Sequence, residues 1–320
     1  EGYDFVGMTD HAGSTSEIHW RKNLRLADFY TESEQFLAIP AVEWTLQSDP
    51  ELNDIQHGAG HYNIIFASTE DAEKYIRNKH ELYCPRTPET DIAPSLWKML
   101  DEKKIQCVTI PHHSADQVHP VDWNVTDPRY VTAVEIFQCR GNNEYPGCPR
   151  ERNLSRHTPT QHKHAYIDYA LKKRKYKMGF IASGDHNSMG IGVAALWVKE
   201  ISREGILEAL RSRRTFATTG DKMYIDLMIN GAPMGSVSSS AKIPELVIEV
   251  LGQFPLEKVE ILRNSRVIHE FHLDGEGLEF RQTYSDLNYM DEADVLYYYV
   301  RATQKNKAIA WSSPVWIDKT

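Results

Sequence analysis

The stretch Tyr3–Gly13, YDFVGMTDHAG, is an apolar run from Tyr3 to Met8 that stops abruptly at Thr9, Asp10 and His11. A buried strand ending in an acid and an imidazole carries two metal-binding or proton-transfer groups at its carboxyl end, where barrel and open α/β folds usually do their chemistry. Outward from this run the same texture recurs. FLAIPAVEW, HYNIIFA, IQCVTIP, VTAVEIFQ, MGFIASG and GVAALWV alternate with helix-like stretches at Glu17 to Ser33, Ile92 to Lys103, Lys163 to Lys175 and Arg203 to Ser212. Strands alternating with helices predict parallel βα units. From about Asp221 the helical pattern vanishes. KMYIDLMING, IPELVIEVLG, KVEILRNSRVIHEFHL, VLYYYVRATQ and IAWSSPVWI read there as short strands with Asn, Gly and Ser turns, which predicts a β-sandwich module. The expected organisation is therefore an α/β unit over 1–219 followed by an all-β unit over 220–320.

With 320 residues, 41% of them apolar, the chain can bury a sizeable core. A net charge of -9 and the lack of a long basic stripe argue against nucleic acid as main partner, because neutralising phosphates needs clustered Lys and Arg. The basic run KKRKYK, Lys172 to Lys177, reads as a solvated face. No apolar run approaches the roughly 20 residues of a membrane helix. The chain begins at Glu1 without an initiator Met, so a longer native chain is expected, and compartment and oligomeric state stay open. Cys84, Cys107, Cys139 and Cys148 form no C-x-x-C pair; Cys107 reads as core, and Cys139 with Cys148 would bridge only in an oxidising compartment.

Histidine placement is the strongest functional signal. Twelve of the fourteen lie before residue 190, and the strand ends read TDH (Asp10, His11), VEW (Glu43), GHYN (His61), IPHH (His112, His113), VEIFQ (Glu135) and SGDH (Asp185, His186). Imidazoles with carboxylates suit zinc, manganese or iron, and Glu43 could bridge two ions. Each element also has a plainer reading. Asp10 could cap a helix, Glu43 could pair with an Arg, and His61 could be a core or loop histidine, with His57 competing for its role. Convergence of all the strand ends on one centre is what favours metal.

The order TDH, Glu after a strand, His, PHH and S-x-DH resembles the PHP (polymerase and histidinol phosphatase) superfamily of metal-dependent hydrolases. Within it, YDFVGMTDHAG, PAVEWT, GHYNIIF, IPHHSA, VEIFQCRGNNEYPG, GFIASGDHNS, EALRSRRTFATTGDKM and YYYVRATQKNKAIAWSSPVWI resemble the DUF3604 branch, related to CehA/McbA-type hydrolases. That resemblance implies a distorted (β/α)7 barrel, TIM-like, with two or three divalent ions (Zn, Mn or Fe) at the strand ends. It implies His11, Glu43, His61, His112, Asp185 and His186 as ligands. The family's opening H-x-H motif is missing, and Asn187 stands where many relatives have the His of D-x-H. Adjacent strand residues point to opposite sides, so His186 shares the site only if the chain turns sharply after Asp185.

The expected chemistry is attack by a metal-activated water on a phosphoester or related ester, with a small anionic or ester substrate. His113 or Asp10 would move protons, and Arg140 and Arg214 would clamp an anion, although a helix-end charge explains Arg214 equally well. Trp20, Trp44 and Trp123 read as core. A carboxyl ester or carbamate hydrolase of the same fold, or a non-catalytic binding protein with an incomplete metal site, are the alternatives.

Overall fold

A computed structural model describes residues 2–12, 15–32, 35–44, 60–79, 92–116, 119–124, 126–151, 163–173, 176–186, 190–291 and 295–319. His57, Cys84, Asn187 and positions 174 and 175 of the basic run lie outside the described residues. The chain opens with β1 (Phe5–Met8), α1 (Glu17–Tyr30) and β2 (Leu37–Trp44), then β3 (His61–Phe66), α2 (Thr69–Asn78), α3 (Ile92–Glu102) and β4 (Cys107–His112). It continues through β5 (Ala133–Gln138), β6 (Gly141–Asn142), α4 (Ile167–Lys172), β7 (Gly179–Ala182), β8 (Val193–Leu196), α5 (Arg203–Arg211) and β9 (Thr215–Thr218). Serines start three of the helices: the side chains of Ser16, Ser68 and Ser202 accept the N–H groups of His19, Asp71 and Gly205 in α1, α2 and α5.

These elements do not close into the expected (β/α)7, TIM-like barrel. β1 to β4 form one open sheet in sequence order, β6, β5 and β7 form another, and β8 and β9 pair with the C-terminal strands instead. Among the described N-terminal strands β1 with β2 and β5 with β7 run parallel, whereas β2 with β3 and β3 with β4 are antiparallel. The physical reason lies in the connections. A helical crossover carries the chain back across the sheet and gives a parallel neighbour, as α1 does between β1 and β2. Between β3 and β4, where α2 and α3 are described, the chain comes back to the end it left, so Phe66 faces Cys107 and His61 faces His112. Alternation of strand and helix texture does not count helices, and α2 buries only a short run, Ala72, Tyr75 and Ile76, that the sequence pattern passes over. The strands still share an apolar cluster, Leu37, Ile39, Val108, Ile110, Ala133 and Ile181 with Ile206, Leu207 and Leu210 of α5. On the opposite side Trp20, Trp44, Tyr62, Phe66 and Trp123 belong to the largest core cluster.

The remaining strands are β10 (Tyr224–Ile229), β11 (Ala232–Pro233), β12 (Val237–Ser239), β13 (Glu245–Leu251), β14 (Leu256–Arg263), β15 (Arg266–His272), β16 (Glu279–Ser285), β17 (Val295–Gln304), β18 (Ile309–Ser312) and β19 (Val315–Asp318). One sheet runs β11-β10-β13-β16; the other runs β12-β19-β17-β18-β9-β8, with β14 and β15 attached through β17. Ile225, Leu227, Ile248 and Val250 of the first meet Val259, Ile261, Val300 and Val315 of the second in a common core. In β17 alternate residues divide: Leu296, Tyr298 and Val300 enter that core, while Tyr297 and Tyr299 join the core of the N-terminal strands. Thr215 Oγ1 donates to Phe180 O at 2.8 Å, tying β9 to β7. Cys107, Cys139 and Cys148 are all free thiols. Among the described residues no helix is long and apolar enough to cross a membrane.

Candidate metal centre

One edge of the N-terminal strands gathers the ionisable groups. β1, β2, β4 and β7 end there, and β3, being antiparallel, begins there, which brings His61 at its first residue beside His112 at the last residue of β4. The cavity at this edge, about 230 Å³, is lined by His11, Glu43, His61, His112, His113, Asp116, His119, Arg140, Asp185 and His186. Two backbone turns make this possible. His113 has φ 36° and Asp185 has φ 60°, both in the left-handed region that side chains with a Cβ rarely adopt. Each breaks the alternation of its strand, so His112 with His113, and Asp185 with His186, serve one cavity although they are neighbours in sequence.

Glu43, only 4% exposed, is the hub. Its Oε1 lies 2.8 Å from His61 Nδ1, 3.4 Å from His112 Nε2 and 3.4 Å from His11 Nδ1. Burial would raise its pKa, but hydrogen bonding and charge from His112 and His61 hold the carboxyl far below its ordinary range. Burial pushes His61 down, ahead of the opposing pull of Glu43; His112 is also disfavoured as a cation by burial, yet Glu43 and Glu135 raise it overall. Ligand atoms of Glu43, His61, His112 and His113, all buried, lie within 4.8 Å of one another, so this group could hold a metal ion. His61 Nε2 is buried without a hydrogen-bond partner, an arrangement that costs energy unless an ion or water supplies the missing contact. The residues therefore fit a divalent cation.

Around this hub the other groups are tethered. Asp185 accepts from Gln138 Nε2 at 2.6 Å, from the Arg140 guanidinium and from the His186 N–H at 2.6 Å. Burial would raise its pKa, and Arg140 with His112 overcome this and lower it. His186 sits at the rim, its side chain 57% exposed and stacked at 5.3 Å on His11. Glu135, fully buried, accepts the His113 N–H at 3.0 Å and the Ser183 hydroxyl, and burial raises its pKa.

Two sequence-derived candidates stand elsewhere. Asp10 is exposed and accepts from Asn23 Nδ2 at 2.6 Å, and Arg214 bonds Glu208 at 2.9 Å and Ser212 at 3.0 Å at the end of α5; neither lines the cavity. Conversely, Asp116, His119 and Gln138 were passed over. His119 stacks on His61 at 4.1 Å, and burial lowers its pKa to about 4. Reading only strand ends missed it, because it lies in the turn after IPHH; its spacing in HHSADQVH was the available signal.

Residues 149–232 match the model of a family described as "Protein of unknown function (DUF3604)". The match includes Asp185 and His186 but not Glu43, His61 or His112. The chain is 29% identical to an uncharacterized protein of Chlamydia trachomatis and 31% identical to one of Chlamydia muridarum, in each case over 337 residues, 96% of this chain and 50% of the relative. It thus spans about half the length of the curated relatives it matches. Among solved structures, PsfC from Pseudomonas syringae PB-5123 aligns at 12% identity over 67% of this chain and 76% of that one, with a TM-score of 0.40. Fibronectin(III)-like modules of Clostridium thermocellum CbhA align at 12% identity over 29% of this chain and 93% of theirs, with a TM-score of 0.22. Neither likeness carries an argument about fold or function.

Proposed function

We propose that this chain is a metal-dependent hydrolase acting on a small phosphoester or related ester. The observation that carries the reading is the buried Glu43 carboxylate facing His11, His61 and His112 in one cavity, with His61 Nε2 left without a partner. The motif order that resembles PHP hydrolases supports the same chemistry, without its barrel. In this reading Glu43, His61, His112 and His113 hold one divalent ion, Zn, Mn or Fe, and His11, Asp185 and His186 line the space for one or two more. Bound there, such ions supply Lewis acidity and lower the pKa of water toward neutrality. The chain's own residues orient the reactants. Arg140, anchored on Asp185, offers positive charge to an anionic substrate, and a cavity imidazole rather than Asp10 moves the proton.

The test is a panel of phosphomonoesters, phosphodiesters, carboxyl esters and carbamates with protein loaded with zinc, manganese or iron. Turnover of one class by the wild type and its loss in Glu43→Ala, with an unchanged far-UV circular dichroism spectrum, is expected. Equal turnover in Glu43→Ala, or none in any loaded wild type, refutes the reading.

A further inference from the structure

The segment from Gln138 to Glu144 touches the cavity at one end and the sandwich at the other. Gln138 holds Asp185 and accepts the Arg140 N–H at 2.9 Å, and Arg140 lines the cavity. Asn143, 1% exposed, accepts the Ala115 N–H through Oδ1 at 3.2 Å, two residues beyond His113, while its own N–H is fixed on Ile136 O at 2.8 Å. Glu144, the next residue, sends its carboxylate away from the cavity. Its Oε1 accepts from Tyr299 Oη at 2.7 Å, and its Oε2 from Arg301 Nη1 at 2.8 Å and Trp311 Nε1 at 3.1 Å. These donors belong to β17 and β18. An acid 1% exposed that takes three directional donors from these strands, besides Asn142 Nδ2 at 3.3 Å, fixes the backbone carrying it more narrowly than an apolar side chain would.

We propose that Glu144 is a positioning residue through which the β-sandwich fixes the cavity wall formed by Arg140 and the turn from His113 to Asp116. Asn143 passes the constraint to Ala115, and Gln138 passes it to Asp185. The effect on a bound ion rests on the metal reading of the cavity; the effect on the wall does not.

β17 supplies its own control. Tyr299 donates to Glu144, while Tyr298, the adjacent residue on the opposite face, donates to Asp286 at 2.8 Å inside the sandwich. Tyr299→Phe and Tyr298→Phe each remove one buried hydroxyl. In metal-free protein, hydrogen exchange of the peptide spanning His112 to Asp116 is expected to quicken about five- to tenfold in Tyr299→Phe, the equivalent of one lost net hydrogen bond, and to stay at the wild-type rate in Tyr298→Phe. Titration with Co²⁺ is expected to give about three- to tenfold weaker binding and a changed visible spectrum in Tyr299→Phe alone, as loss of groups that orient ligands does. Equal exchange in the two variants, or no change in either, overturns the proposal. A wild type that takes up no Co²⁺ removes the metal reading, and the exchange comparison still decides the coupling.

Discussion

Replacing Arg301 by Met tests the buried network joining the two halves of the molecule. Arg301, 1% exposed, forks onto Glu260 at 2.8 and 3.0 Å and reaches Glu144 at 2.8 Å, and both carboxylates are at most 3% exposed. Among the described residues Lys258, 3.1 Å from Glu260, is the cation that remains paired with it. Met fills most of the volume but leaves carboxylate buried with too little positive charge, which costs about 3–5 kcal/mol. An unfolding entropy of about 2.1 cal/mol/K per residue gives about 0.7 kcal/mol/K for 320 residues, so Tm should fall by about 4–7 °C. The pH dependence carries a sign. In the wild type burial would raise the Glu260 pKa, but Arg301 outweighs it, and the group sits below its ordinary value. Its stabilising contribution is present above the unfolded value of about 4.3 and is lost as pH falls through the lowered folded value. In Arg301→Met burial prevails, the folded value rises, and acid relieves the variant, so its deficit shrinks below about pH 5. Thermal unfolding followed by circular dichroism from pH 4 to 8 measures both. A Tm within about 1 °C of wild type at pH 7, well short of the fall estimated above, or a deficit that grows in acid, refutes the reasoning.

Other consequences are simpler. Gln138→Leu removes the 2.6 Å donor to Asp185 and should weaken Co²⁺ binding about tenfold in equilibrium dialysis; unchanged affinity would show that Asp185 needs no orienting partner. Arg214→Ala loses a half-exposed pair with Glu208, so stability should change by less than about 1 kcal/mol in urea unfolding, with Co²⁺ affinity unaltered. Because the His112 pKa is raised, an ion must displace its proton, and affinity should fall about tenfold for each pH unit and each proton displaced in acid; a flat profile from pH 5 to 7.5 in isothermal titration would contradict this.

The residues that line the cavity were more legible than the architecture. His11, Glu43, His61, His112, Asp185 and His186 announce themselves as charged or imidazole groups at the ends of apolar runs, His61 at the start of its run, where packing offers little reason for them. Strand direction did not, because nothing within an apolar run says which way its neighbour in the sheet runs. The sequence posed the turn at Asp185 as a condition but did not fix it, and the left-handed His113 was not legible: Glu135, Gln138 and Arg140, which help to hold these turns, are distant in the chain or on another strand. The same holds for Glu144 and Arg301, which are more than 150 residues apart in the chain.

The account turns on a cation among Glu43, His61, His112 and His113. Equilibrium dialysis of the wild type and of Glu43→Ala/His112→Ala against Zn²⁺ at pH 7.5, followed by elemental analysis, measures this directly. The account predicts at least one tightly held equivalent in the wild type and its loss in the double variant; no uptake by the wild type, or equal uptake by both proteins, contradicts it.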